Sequence, residues 1–164
     1  MIIAVAVMAV LCLGALISLR WMQHTFLLLE KIVYYMAAAT SIQQLHSVVP
    51  DNFKLFEIAD TASAFTIFKL SQLVLFPLLT VWLLYGLFRL RDHYFLKILL
   101  SAAWVLLLTG LYGLYERLGV MEFTGWKTKH AIVMWLAVLA ETALFCVWFR
   151  MLLRKSGNRD AVSS

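Results

Sequence analysis

The stretch IIAVAVMAVLCLGALISL, Ile2–Leu19, decides the class of this protein, because it runs its whole length without a charge. A hydrocarbon core about 30 Å thick takes about 20 apolar residues in helical form. The remaining sequence repeats the theme: 63% of the 164 residues are hydrophobic and only 14% are charged, with a mean hydropathy of +0.88. A globule of this length has too little interior to hide so much apolar surface, which excludes a water-soluble monomer. The same figures exclude intrinsic disorder.

Working outward, four further apolar runs follow, at about His24–Ile42, Leu70–Phe88, Phe95–Tyr115 and His130–Leu153. The expectation is an all-α bundle of five membrane spans, 2–19, 24–42, 70–88, 95–115 and 130–153, with a short polar cytoplasmic tail over 154–164. The first run is read as an uncleaved span, since no basic residue precedes it and Arg20 follows it. Residues 20–25 contain neither Gly nor Pro. A continuous helix from Ile2 to His46 would nevertheless measure about 67 Å at 1.5 Å per residue, so a break is expected there.

Basic residues set the orientation. With the N-terminus outside, the cytoplasmic face receives Arg20, Arg89, Arg91, Lys97, Arg150, Arg154, Lys155 and Arg159. The outer face receives Lys54, Arg117, Lys127 and Lys129, while Lys31 and Lys69 fall within or at the edge of a span. That asymmetry places the C-terminus inside, in a multi-pass protein of a bacterial-type plasma (inner) membrane. The formal net charge of +5 is dispersed between apolar runs, so nucleic acid is not an expected partner. Cys12 and Cys146 lie within apolar runs and predict no disulfide. In the long outer connection, about 43–68, Pro50-Asp51-Asn52 reads as a turn and helix start. A short amphipathic helix is expected after it, with Phe53, Phe56 and Ile58 on one side and Lys54, Glu57 and Asp60 on the other.

Ionisable groups within spans are the first candidates for function, because each is costly there unless paired or hydrated. Glu141 lies about 16 Å into the last span, and Glu30 and Lys31 about 9–10 Å into the second. Similar depths predict a Lys31–Glu141 pair, leaving Glu30 to water, to a polar group on the third span or to another subunit. The pair serves as a clamp that sets helix register or, alternatively, as part of a proton or ion pathway. Pro77 predicts a kink, and Gly110 and Gly113, with Ala102 and Ala103, predict a strip for close helix approach. His24 and His93 at the inner face and His46 and His130 at the outer face have the disposition that haem b ligation, or copper, would ask of them. An outer cation site from His46, Asp51, Glu57, Asp60, Met121 and His130 matches no known metal spacing. The tyrosines and tryptophans fall mostly near predicted water boundaries, as an interfacial belt would. P-loop, GxGxxG, HExxH and nucleophile motifs are absent, so nothing makes a positive case for an enzyme.

From Arg89 onward the chain resembles the copper-resistance D family of bacterial inner-membrane proteins and its haem-biosynthesis relatives. The residues that carry the resemblance are Arg89-Leu90-Arg91, Leu108-Thr109-Gly110-Leu111 and Gly125-Trp126-Lys127, within about sixty residues of the second half. The resemblance implies a polytopic protein that handles copper or haem; no ligand is carried over from it. Read from its residues, the chain is a small non-enzymatic membrane subunit or self-associating module, with the lipid bilayer and other membrane subunits, or itself, as partners. A haem- or copper-handling redox protein and an ion or proton pathway are the alternatives.

Overall fold

The computed structural model describes residues 2–22, 26–53, 55–90 and 93–155. Helix α1 (Ile2–Ser18) ends in a 3₁₀ turn at Leu19–Met22, and α2 (Leu28–Phe53) begins afresh, so the long rod is broken where its length requires. After α2 come strand β1 (Phe56–Ile58) and helix α3 (Ala62–Leu70). A π-turn (Ser71–Leu75) joins α3 to α4 (Phe76–Arg89). Then follow α5 (Tyr94–Arg117), β2 (Met121–Phe123) and α6 (Thr128–Lys155). By length and composition, four stretches among the described residues are apolar enough to cross a membrane: Ile3–Met22, Ala62–Arg89, Tyr94–Arg117 and Thr128–Leu153.

Helix α2 is not among those four, because Thr40, Ser41, Gln43, Gln44, His46 and Ser47 make it less apolar. Its buried residues, Glu30, Lys31, Tyr34, Ala38, Ser41, Ile42 and His46, recur at helical spacing on one face that packs against α4 and α6. Over its first half the polarity is therefore turned inward, and Leu28, Leu29, Ile32 and Met36 are turned outward; beyond them Thr40, Gln43 and Gln44 are exposed. That first half has the arrangement of a helix whose surroundings are apolar. α1 packs on α3, the π-turn and α4, and α5 packs between α4 and α6. At Gly86 of α4 an added Cβ would sit 2.6 Å from Leu100 Cδ2, so a side chain there would push the Leu100 methyl of α5 aside.

Two expectations for the outer connection are corrected. Pro50-Asp51-Asn52 does not start a new helix; α2 runs through it to Phe53, because a proline in a final turn removes little of an established helix. The segment after it is extended. Phe56, Glu57 and Ile58 pair antiparallel with Phe123, Glu122 and Met121. Both tripeptides alternate inward and outward, Phe56 and Met121 being buried while Glu57 and Glu122 are exposed. The predicted companion Lys54 lies outside the described residues. Gly119, at φ +66, lets α5 end in a left-handed cap in which the N–H groups of Gly119 and Val120 donate to Glu116 and Tyr115. That cap feeds the chain directly into β2. The ribbon ties the α2–α3 and α5–α6 connections together, so both lie at one end of the bundle.

Candidate functional site

At the opposite end, the starts of α1's neighbour α2 and the ends of α4 and α6 meet around one carboxylate. Glu30 lies in the first turn of α2 and is 1% exposed. Its Oε2 accepts from the backbone N–H of Leu27 at 3.0 Å, capping the helix that carries it. Its Oε1 accepts from Tyr34 Oη at 3.0 Å and from Arg150 Nε at 2.9 Å. The Arg150 guanidinium lies over the Phe88 ring at 4.0 Å and near that of Phe26 at 5.3 Å, so planar cation and rings enclose the ion pair. Lys31 turns the other way and donates to the Leu19 carbonyl at 3.1 Å, in the 3₁₀ turn that ends the first span.

The expected Lys31–Glu141 pair is thus replaced by Glu30–Arg150. The ammonium of Lys31 is taken up by a helix-end carbonyl, a favourable place for a cation. Glu141 is exposed on α6, and no described residue hydrogen-bonds to it. The sequence held the signal for the true pair: Glu30 stands in the first turn of α2, and Arg150 near the C-terminal end of α6 is at the same level.

A second polar group lies toward the ribbon end. His46 is 4% exposed, and its Nδ1 is 2.7 Å from the Ile42 carbonyl. A carbonyl only accepts, so Nδ1 carries the proton and Nε2 of the neutral ring accepts from Tyr112 Oη. The rings of Phe68, Phe76, Tyr112 and Trp135 surround the imidazole with centroids 5.6–6.2 Å away. Beside it, Ser71 Oγ bonds Tyr115 Oη at 2.5 Å and the Ile67 carbonyl at 2.7 Å. Nothing in the sequence alone joins His46 to Tyr112, 66 residues apart.

Pro77 acts through its missing N–H. It stands in the first turn of α4, four residues after Leu73, whose carbonyl therefore loses its ordinary helical donor. The helix answers with the π-turn just before it, and Tyr35 Oη of α2 donates to the freed Leu73 carbonyl at 2.5 Å. The proline predicted to kink the span instead creates an acceptor that a neighbouring helix fills.

The remaining candidates do not converge. His24 lies outside the described residues. His93 is exposed ahead of α5, and His130 Nδ1 accepts from its own Lys127 N–H at 3.1 Å. Among the described residues no three of His, Cys, Asp or Glu come together as a metal site. Both nitrogens of His46 are already engaged, so it would have to give up one of two hydrogen bonds to ligate haem or copper. Cys12 and Cys146 are buried free thiols. Gly110 and Gly113 have no described atom within 4 Å of an added Cβ, so no described helix packs closely on them. The close approach is at Gly86 instead. Of the segments 89–91, 108–111 and 125–127, Trp126 packs face to face on Tyr112 at 5.8 Å, and Leu108 is buried in α5. Compared with family models, curated proteins and solved structures, the chain matches none of them.

Proposed function

We propose that this chain is a non-enzymatic module of the plasma membrane, crossing it five times with the N-terminus outside and the C-terminus inside, and that it works by associating with other membrane chains or with itself. The observation that carries this reading is that most of the described buried polar groups are hydrogen-bonded within the chain, with Trp104 Nε1, Thr109 Oγ1 and Trp135 Nε1 the exceptions among the described residues. Glu30 is bonded by both Tyr34 and Arg150, His46 by Tyr112, and Ser71 by Tyr115. Thr80 and Thr142, which a conducting path would need between Glu30 and His46, bond back to carbonyls of their own helices at 2.8 and 2.5 Å. A clamp accounts for these contacts better than a relay, which wants a continuous polar chain.

What is left to act is the outer surface. Leu99, Leu106 and Leu107 of α5 and Val133, Leu136 and Leu144 of α6 are exposed, on helices whose own chain covers little of them. Five spans are supported by the central place of α2, whose inward polarity over its first half needs an apolar exterior. The orientation is supported by Arg89, Arg150 and Lys155 at the end of the bundle opposite the ribbon. Extracted from its own membrane in a mild detergent and sized by native mass spectrometry, the protein is expected to carry at least one further chain. Recovery as a stable, partner-free species of 18.8 kDa would overturn the reading.

A further inference from the structure

Among the described residues Glu141 has no hydrogen-bond or ion-pair partner. It stands thirteen residues from the start of α6 and fourteen from its end, at the middle of an apolar stretch that runs from Ala131 to Phe149. A carboxyl group facing acyl chains at that depth is among the costliest placements a membrane helix can offer, and such groups find hydrogen-bond donors. The surface around it is built for a close neighbour. Ala137, Glu141, Leu144, Trp148 and Met151 follow one another at spacings of 4, 3, 4 and 3 residues, all exposed. That is the seam of a left-handed helix pair, and a single polar residue in such a seam specifies its register.

The donors are on the next helix. α2 and α6 run antiparallel, brought into register by Glu30 and Arg150. Glu141 is nine residues from Arg150, about 14 Å along α6, which brings it level with the residues nine or ten beyond Glu30 on α2. There the outward face of α2 changes from Leu29, Ile32 and Met36 to Thr40, Gln43 and Gln44, all exposed. A carboxylate that only accepts and a hydroxyl and amide that donate thus occupy neighbouring helices of one exposed face, at mid-membrane, without bonding each other.

We infer that the outward face of α2 and α6 is the contact surface for a second copy of this chain, related by a two-fold axis along the membrane normal. All copies share one insertion direction, so such an axis brings residues of equal depth together. Each Glu141 then accepts hydrogen bonds from Thr40 and Gln44 of the opposite copy, and the seam of α6 packs around the axis. This rests on the association reading above and names its surface and its occupant.

The test uses the full chain in lipid nanodiscs, with exchange of fluorescently labelled copies reporting dimer affinity. Glu141→Leu, and separately the pair Thr40→Val and Gln44→Leu, are expected to weaken the dimer about tenfold, the scale of interhelical polar contacts. Glu141→Gln, which keeps an acceptor, is expected to stay within about threefold of the parent. Glu141 is exposed and hydrogen-bonds no described residue, so the thermal midpoint of the monomer checks that its replacement leaves the fold intact. A photocrosslinking residue in place of Trp148 is expected to capture a second copy, and one in place of Leu106 on α5 is not. A dimer that is indifferent to Glu141, or that crosslinks through Leu106, would overturn this surface and leave association standing. A chain that is monomeric at every lipid dilution and carries no other subunit would remove both.

Discussion

The two ends of the bundle are held by opposite kinds of chemistry. The end built from α2's first turn, α4's last and α6's last relies on one ion pair enclosed by rings, Glu30 with Arg150. The ribbon end relies on stacked aromatics and neutral hydrogen bonds around His46 and Tyr112. A charged pair concentrates its strength in two side chains, and losing either leaves an uncompensated charge. An aromatic cluster spreads its contribution over many contacts, each of modest size. The first end is brittle and the second is forgiving.

The sharpest way to break that contrast is Arg150→Ala. It strands the Glu30 carboxylate and is expected to cost about 3–5 kcal/mol, read as a lowered unfolding midpoint in detergent. Replacing both partners, by Glu30→Gln with Arg150→Met, is expected to recover most of that loss; no recovery would mean that the pair is not the source of the strength. At the other end, Tyr112→Phe keeps the ring and removes the donor to His46. The expected cost is about 1–3 kcal/mol, the penalty for a buried acceptor left without a partner. A loss as large as that of Arg150→Ala would erase the difference between the ends. The smallest effect has the opposite sign. Glu57 and Glu122 stand directly opposite each other in the ribbon, where like charges repel. Glu122→Thr is expected to stabilise the ribbon by about 0.5 kcal/mol, seen as slower amide exchange at Ala59.

How far the sequence could be read follows the same division. Long-range order along each helix was legible, since the apolar runs at 2–19, 70–88, 95–115 and 130–153 lie within α1 with its 3₁₀ turn, the α3–α4 rod, α5 and α6. The start of α2 was also visible, but not its continuation past Ile42, because its outer half loses the apolar periodicity while staying helical. Depth along a span was enough to know that Glu30 and Glu141 each need a partner, and it pointed Lys31 the wrong way because depth says nothing about azimuth. The alternation in Phe56-Glu57-Ile58 and Met121-Glu122-Phe123 is a strand signal, yet three residues are too few to stand out without knowing that the two segments meet. His46–Tyr112 and Tyr35–Leu73 depend on how helices pack, which no single segment encodes.

The hydroxyl that Tyr35 lends to Leu73 has a consequence for how the bundle can move. Pro77 leaves that carbonyl without its ordinary donor within the helix, and the hydroxyl that serves it comes from another helix. Translating α2 along α4 by a turn would strip the acceptor bare, whereas swivelling about the contact would not. The junction is a pivot, and any conformational change that passes through it is confined to rotation.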